Sequence, residues 1–185
     1  MKIFYPLLII VLVFLTGCRA KKPLVDSGTS AQPSASREVT NYHDPTTWLL
    51  GYFTRDQLLR PPHGEWFLKG YEEYQFNTEA VNKLNSISKD NLSIKIVMGT
   101  WCPDSRREVP RFMRILDLWK FPPDKLTFIG VDESKLSPVG EYESLNIQRV
   151  PTFIFYKNNI EAGRIIEVPQ TSLEQDMVNI LTRNE

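Results

Sequence analysis

Val97-Met98-Gly99-Thr100-Trp101-Cys102-Pro103-Asp104-Ser105 is the stretch on which the reading of this chain turns. An apolar, β-branched run ends at Met98, a short turn follows, and Cys102 stands immediately before a proline and an acidic residue, the residue types that open a helix. A cysteine at a helix start sees backbone N–H groups without partners and the positive end of the helix dipole. Both favour the thiolate, which is the attacking form of the side chain.

Regular elements are expected on either side. Upstream, Asn77 caps a helix in which Ala80, Val81, Leu84 and Ile87 form one apolar stripe, and Leu92–Met98 reads as a strand. Downstream, a helix is expected from Asp104 to Trp119, with Val109, Phe112, Met113, Leu116 and Trp119 on its buried side and Pro110 as a kink. Strands follow at Leu126–Val131, Thr152–Tyr156 and Ala162–Val168, the last two joined through an Asn158-Asn159 turn. A short helix is expected over Val139–Leu145. A terminal helix carrying Leu173, Met177, Ile180 and Leu181 opens with a capping box from Thr171 to Glu174. The order α-β-α-β-α-β-β-α predicts an α/β domain over residues 76–183.

The remainder of the chain reads differently. Residues 44–75 are dense in aromatics (Trp48, Tyr52, Phe53, Trp66, Phe67, Tyr71, Tyr74), with a Pro61-Pro62-His63-Gly64 turn, and are expected to pack on the domain as an N-terminal extension; the aromatics read most simply as core, with closure of a groove beside Cys102 as the alternative. Residues 18–43 are rich in Ser, Gly and Pro and read as a flexible tether. Lys2 and the apolar run Ile3–Leu15 read as a cleaved export signal over residues 1–17. That run is shorter than the roughly 20 residues a membrane-spanning helix needs, and it contains Pro6. Leu15-Thr16-Gly17-Cys18 resembles the lipobox of bacterial lipoproteins, which implies that Cys18 becomes the lipidated first residue and anchors the protein to a membrane of the cell envelope. Arg19, in place of an acidic residue after the cysteine, points by the same resemblance to the outer membrane, periplasmic face.

Composition narrows the chemistry. With 22 Lys plus Arg against 22 Asp plus Glu, there is no global field to favour nucleic acid as a partner. Of two cysteines, Cys18 is assigned to lipid, so the mature chain has one free thiol and no internal disulfide. His43 and His63 read as a linker and a turn residue without partners at ligand spacing, so neither a metal nor a cofactor is expected. Arg106, Arg107, Arg111 and Arg114 read as including a solvated helix face.

The Trp101-Cys102-Pro103 loop resembles that of the thioredoxin superfamily. Pro110 resembles the family's helix proline, Val150-Pro151-Thr152 its cis-proline segment, and Gly163 the glycine near its last strand. The resemblance implies a three-layer α/β/α fold with a mixed central sheet. It implies Cys102 as nucleophile, with Ser105 donating a hydrogen bond to its sulfur, and Trp101, Pro103, Val150 and Pro151 as the substrate-binding surface. Two departures matter. Ser105 replaces the second, resolving cysteine, and Ile96 replaces the buried acid that assists it. A monothiol mechanism follows, in which Cys102 forms mixed disulfides with protein or low-molecular-weight thiols. The alternative is a non-catalytic module that keeps the fold for docking envelope partners. A one-cysteine peroxidase is disfavoured, because Gly99 and Lys95 stand where such enzymes have threonine and proline. The lipid assignment has a direct consequence: Cys18→Ser abolishes incorporation of a palmitate analogue and leaves an unprocessed precursor, and label retained by that variant would overturn it.

Overall fold

The computed structural model describes residues 40–183, so the signal, Cys18 and nearly all of the tether lie outside the described residues. The described elements are β1 (Gly51–Phe53), α1 (Arg55–Leu58), α2 (Gly64–Glu73), α3 (Thr78–Asn85), β2 (Leu92–Met98), α4 (Pro103–Trp119), β3 (Leu126–Gly130), β4 (Thr152–Lys157), β5 (Ile160–Ile166) and α5 (Leu173–Thr182), with three short 3-10 turns.

The sheet is five-stranded and mixed, in the order β1-β3-β2-β4-β5. Its central strand β2 is parallel to β3, with Ile96 opposite Phe128, and antiparallel to β4, with Ile96 opposite Phe153. A parallel neighbour cannot be reached by a hairpin, so the chain crosses over between β2 and β3, and α4 is that crossover. β4 and β5 are joined by Asn158 and Asn159, both with φ near +60° (55° and 62°), the backbone a two-residue hairpin turn requires and asparagine tolerates.

Side chains of a strand alternate between faces. Ile94, Ile96 and Met98 of β2 join Phe128, Phe153 and Phe155 beneath Val109, Phe112, Met113, Leu116 and Trp119 of α4. Leu84 of α3 and Leu173, Met177, Ile180 and Leu181 of α5 complete that core. The opposite face presents Val97, Ile129 and Ile154 to Val131, Val139, Tyr142, Leu145 and Val150. That outer layer is thin: the helix expected from Val139 is a 3-10 turn over Tyr142–Leu145.

Residues 44–75 are more than a surface extension. They supply edge strand β1, antiparallel to β3, and α1 and α2, whose Leu58 and Phe67 are fully buried. α2 lies so close to α4 that a Cβ at Gly70 would stand 2.7 Å from Pro110 Cγ, which is why glycine occupies that position. Other boundaries shift slightly. α4 begins at Pro103, and the cap of α5 is Ser172, whose side chain accepts from Gln175 N–H, in place of Thr171. Thr171 instead donates its hydroxyl to Asp176, and Glu174 is buried with one carboxylate oxygen on the Asn77 N–H.

The core is anchored by the stacked pair Phe112 and Phe153, both fully buried with ring centroids 4.1 Å apart. Phe112→Ala removes a ring from a site closed by α4 on one side and β4 on the other. Urea denaturation of the segment from Glu38 onward is expected to show a loss of about 3–5 kcal/mol.

Candidate functional site

Cys102 sits where the central strand hands over to the crossover helix. After Met98 the chain turns through Gly99, Thr100 and Trp101, with the Cys102 N–H donating to Gly99 O at 3.0 Å. Cys102 is the N-cap of α4, in an extended conformation (φ −76°, ψ 123°), and Pro103 is the first helical residue. Proline has no N–H, and Arg106 N–H is taken by Cys102 O, so the amides of Asp104 and Ser105 are those left facing the helix start. Gly99 is required because the Trp101 indole lies against it: a Cβ there would be 2.4 Å from Trp101 Nε1. That nitrogen donates to Val131 O at 2.9 Å, which fixes the ring over the end of β3.

Val150 and Pro151 are brought to the cysteine as the resemblance implies. The Val150–Pro151 bond is cis, and the Cys102 thiol donates to Val150 O at 3.4 Å. Cys102 is 7% exposed; Val150 and Pro151 are buried, Trp101 is half-buried and Pro103 is exposed. Ser105 lies in the first turn of α4, fully buried, but its hydroxyl oxygen accepts from Gly99 N–H at 3.4 Å and so secures the turn, while the sulfur's own hydrogen bond goes to Val150.

Of the α4 arginines, Arg107 is exposed and Arg106, Arg111 and Arg114 are half-buried, each with a definite partner. Arg107 pairs with Asp104 at 2.7 Å and with Glu108 at 2.6 Å, and Arg111 pairs with Glu108 at 3.2 Å. The Asp104 carboxylate, which by itself opposes a thiolate nearby, is thus matched by a cation. Arg111 lies over Tyr74, and Arg114 lies over Tyr71 and Phe76 while donating to the carbonyls of Tyr71 and Glu72. These contacts fasten α2 to α4. Arg106 differs: its Nη1 turns back to donate to Thr100 O (3.2 Å) and Trp101 O (2.9 Å), and its guanidinium stacks 4.3 Å from the centroid of Tyr42.

Tyr42 belongs to a segment, Asn41–Leu50, that crosses the helix start, a contact the sequence pattern did not single out. Trp48 Nε1 donates to Tyr42 O, the Tyr42 hydroxyl to Pro62 O, and the Leu49 N–H to the buried Thr100 hydroxyl oxygen. The rings of Trp48 and Trp101 are 6.5 Å apart. His43 bonds to Glu133 at 2.9 Å. His63, expected as a turn residue, is 2% exposed, packs edge-on against Trp66, and has no partner at Nδ1. Among the described residues, no group of three or more His, Cys, Asp or Glu is placed to hold a metal ion.

Among the described residues one cysteine caps the crossover helix of a mixed sheet, against a cis-proline segment, the arrangement of a thioredoxin-like protein. The chain belongs to the thioredoxin family, whose model matches residues 63–180 and so takes in α2 as well as the α/β core. Thioredoxin-5 of Dictyostelium discoideum is 32% identical over 90 residues, covering 49% of this chain and 82% of that one. Among solved structures the chain is similar to thioredoxin O1 of Arabidopsis thaliana (24% identity, 59% and 96% of the two chains, TM-score 0.36). It is also similar to thioredoxin O2 of the same plant (21% identity, 56% and 88%, TM-score 0.37).

His63 makes the packing beneath the Asn41–Leu50 segment sensitive to acid. Burial lowers its pKa from the usual 6.5, the nearby Arg106 charge lowers it too, and a hydrogen bond to the Thr47 backbone raises it in part. The unfolded chain therefore binds the proton more readily, so stability is full above pH 6.5 and falls as the pH drops from 6.5 toward the lower folded value. Denaturation midpoints measured from pH 7.5 to 5 should fall, and His63→Gln should flatten that part of the profile.

Proposed function

We propose that this protein is a lipid-anchored, envelope-facing member of the thioredoxin family that carries out thiol–disulfide exchange through Cys102 alone. The observation that carries the reading is the placement of Cys102 at the α4 N-cap, with its sulfur 3.4 Å from Val150 O and Ser105 where a resolving thiol would stand. In the exchange, the Cys102 thiol gives its proton to solvent, and the thiolate attacks one sulfur of a protein or low-molecular-weight disulfide. The substrate S–S bond breaks as the Cys102–S bond forms. The leaving half departs as a thiolate that takes up a proton, so the substrate half is reduced and Cys102 is oxidised to a mixed disulfide. Ser105 cannot close that intermediate to an internal disulfide, and a second thiol from outside must release it.

The anchor rests on the Leu15-Thr16-Gly17-Cys18 sequence, and the Ser/Gly/Pro-rich residues up to about 43 supply the reach from membrane to domain. The location favoured by Arg19 is the periplasmic face of the outer membrane. No cofactor enters this chemistry.

The burial of Cys102, 7% exposed, favours a second reading, in which the family surface docks envelope partners and the thiol stays idle. Reaction of the reduced protein with bis(2-hydroxyethyl) disulfide separates the two. Exchange predicts a single adduct mapping to Cys102, absent in Cys102→Ser, whose thermal midpoint stays close to the parent's. Ser105→Cys should release bound partners by forming an internal disulfide, slowly because Ile96 supplies no acid. A thiol that forms no mixed disulfide at neutral pH would leave the docking module as the function.

A further inference from the structure

Of the four arginines of α4, Arg107 and Arg111 pair with carboxylates, whereas Arg106 and Arg114 have none among the described residues; of these two, Arg106 is the one bonded to the cysteine loop. Its Nη1 is committed to the carbonyls of Thr100 and Trp101, the two residues just before Cys102, so the guanidinium is folded back over the first turn of the helix that Cys102 caps. Tyr42 covers one face of it at 4.3 Å. The remaining donors, on Nε and Nη2, have no hydrogen-bond acceptor among the described residues, and the side chain is half-buried. A guanidinium held in this way by two carbonyls and a ring cannot swing out to solvent as a free side chain would. It stays charged at any working pH and presents a fork suited to a carboxylate.

We infer that Arg106 is a specificity-determining residue that selects disulfides carrying a carboxylate near the reacting sulfur, by pairing with that carboxylate while Cys102 attacks. The inference rests on the exchange function proposed above and names its substrate class. Burial lowers the Arg106 pKa from its usual value, and the neighbouring Tyr42 and Cys102 raise it only in part, so the guanidinium remains a cation beside the cysteine loop. The same guanidinium therefore draws the anionic half toward the nucleophile, and an ammonium-bearing disulfide meets repulsion at the same point. Neighbouring cations do not substitute for it, because Arg107 and Arg111 are already matched by Asp104 and Glu108.

The test uses three disulfides of similar size: anionic 3,3′-dithiodipropionate, neutral bis(2-hydroxyethyl) disulfide and cationic cystamine. Each is reacted with the reduced full chain at low salt, and the Cys102 adduct is followed by intact mass and peptide mapping. Rates are divided by the neutral rate of the same protein, so the differing leaving thiols cancel between variants. Arg106→Gln should lower the anionic-to-cationic ratio by about tenfold. Arg106→Lys should retain most of it, and 0.5 M salt should compress the parent's ratio toward that of Arg106→Gln. An equal fall in all three rates in Arg106→Gln, or a parent ratio that salt does not change, would assign Arg106 to loop positioning only and overturn the inference. Failure of the parent to react with any of the three would remove the exchange function itself, and this inference with it.

Discussion

The site depends on the junction between β2 and α4. The crossover from a central strand to its parallel neighbour forces a helix to start at the carboxyl end of β2, and the chain must turn within the few residues between Met98 and Pro103. That turn is secured by Ser105 on Gly99 N–H, by Trp101 on Val131 O, by Thr100 on Leu49 N–H and by Arg106 on the Thr100 and Trp101 carbonyls. Each bond of this kind contributes on the order of 1 kcal/mol by itself. Together they leave Cys102 one orientation, with its sulfur toward Val150 and its backbone at the start of the helix.

Seen from this junction, the N-terminal residues have a clear physical role. β1 closes the edge of the sheet beyond β3, α2 packs on α4 through the Gly70–Pro110 approach, and the Asn41–Leu50 segment lies across the cysteine loop. Arg106, Arg111 and Arg114 bind this region through aromatic faces and backbone carbonyls, contacts in which the flat guanidinium keeps its charge while covering apolar surface. Tyr42, among the first of the described residues, thus lies against the cysteine loop through Arg106.

Much of this was legible in the sequence because the signals were local and strong. The β-branched run of β2, the stripe from Val109 to Trp119 and the Asn-Asn turn each specify an element without help from the rest of the chain. Cys102, Val150 and Pro151 were likewise legible through the resemblance of their short motifs, and the structure brings them together. Long-range partners were not legible. The three residues of β1 are too few for a pattern to register, and the arginines of α4 read as including a solvated face because the aromatics they meet, Tyr42, Tyr71, Tyr74 and Phe76, lie about 35 to 65 positions away. Ser105 was expected to donate to the sulfur, whereas the bond found is the one its hydroxyl oxygen accepts from Gly99 N–H. His63 in a Pro-Pro-His-Gly turn suggests exposure, yet α2 and Trp66 enclose it.

The central claim is that Cys102 works as a lone nucleophile, and the most direct measurement is its state in the cell. Free thiols are blocked on lysis, the protein is isolated without reductant, and whatever is disulfide-linked to Cys102 is identified by mass spectrometry. The account predicts a fraction of Cys102 joined to a protein or small thiol, rising when an external reductant is withheld and absent in Cys102→Ser. A Cys102 recovered wholly as blocked free thiol, in growing and in oxidatively challenged cells alike, would contradict it.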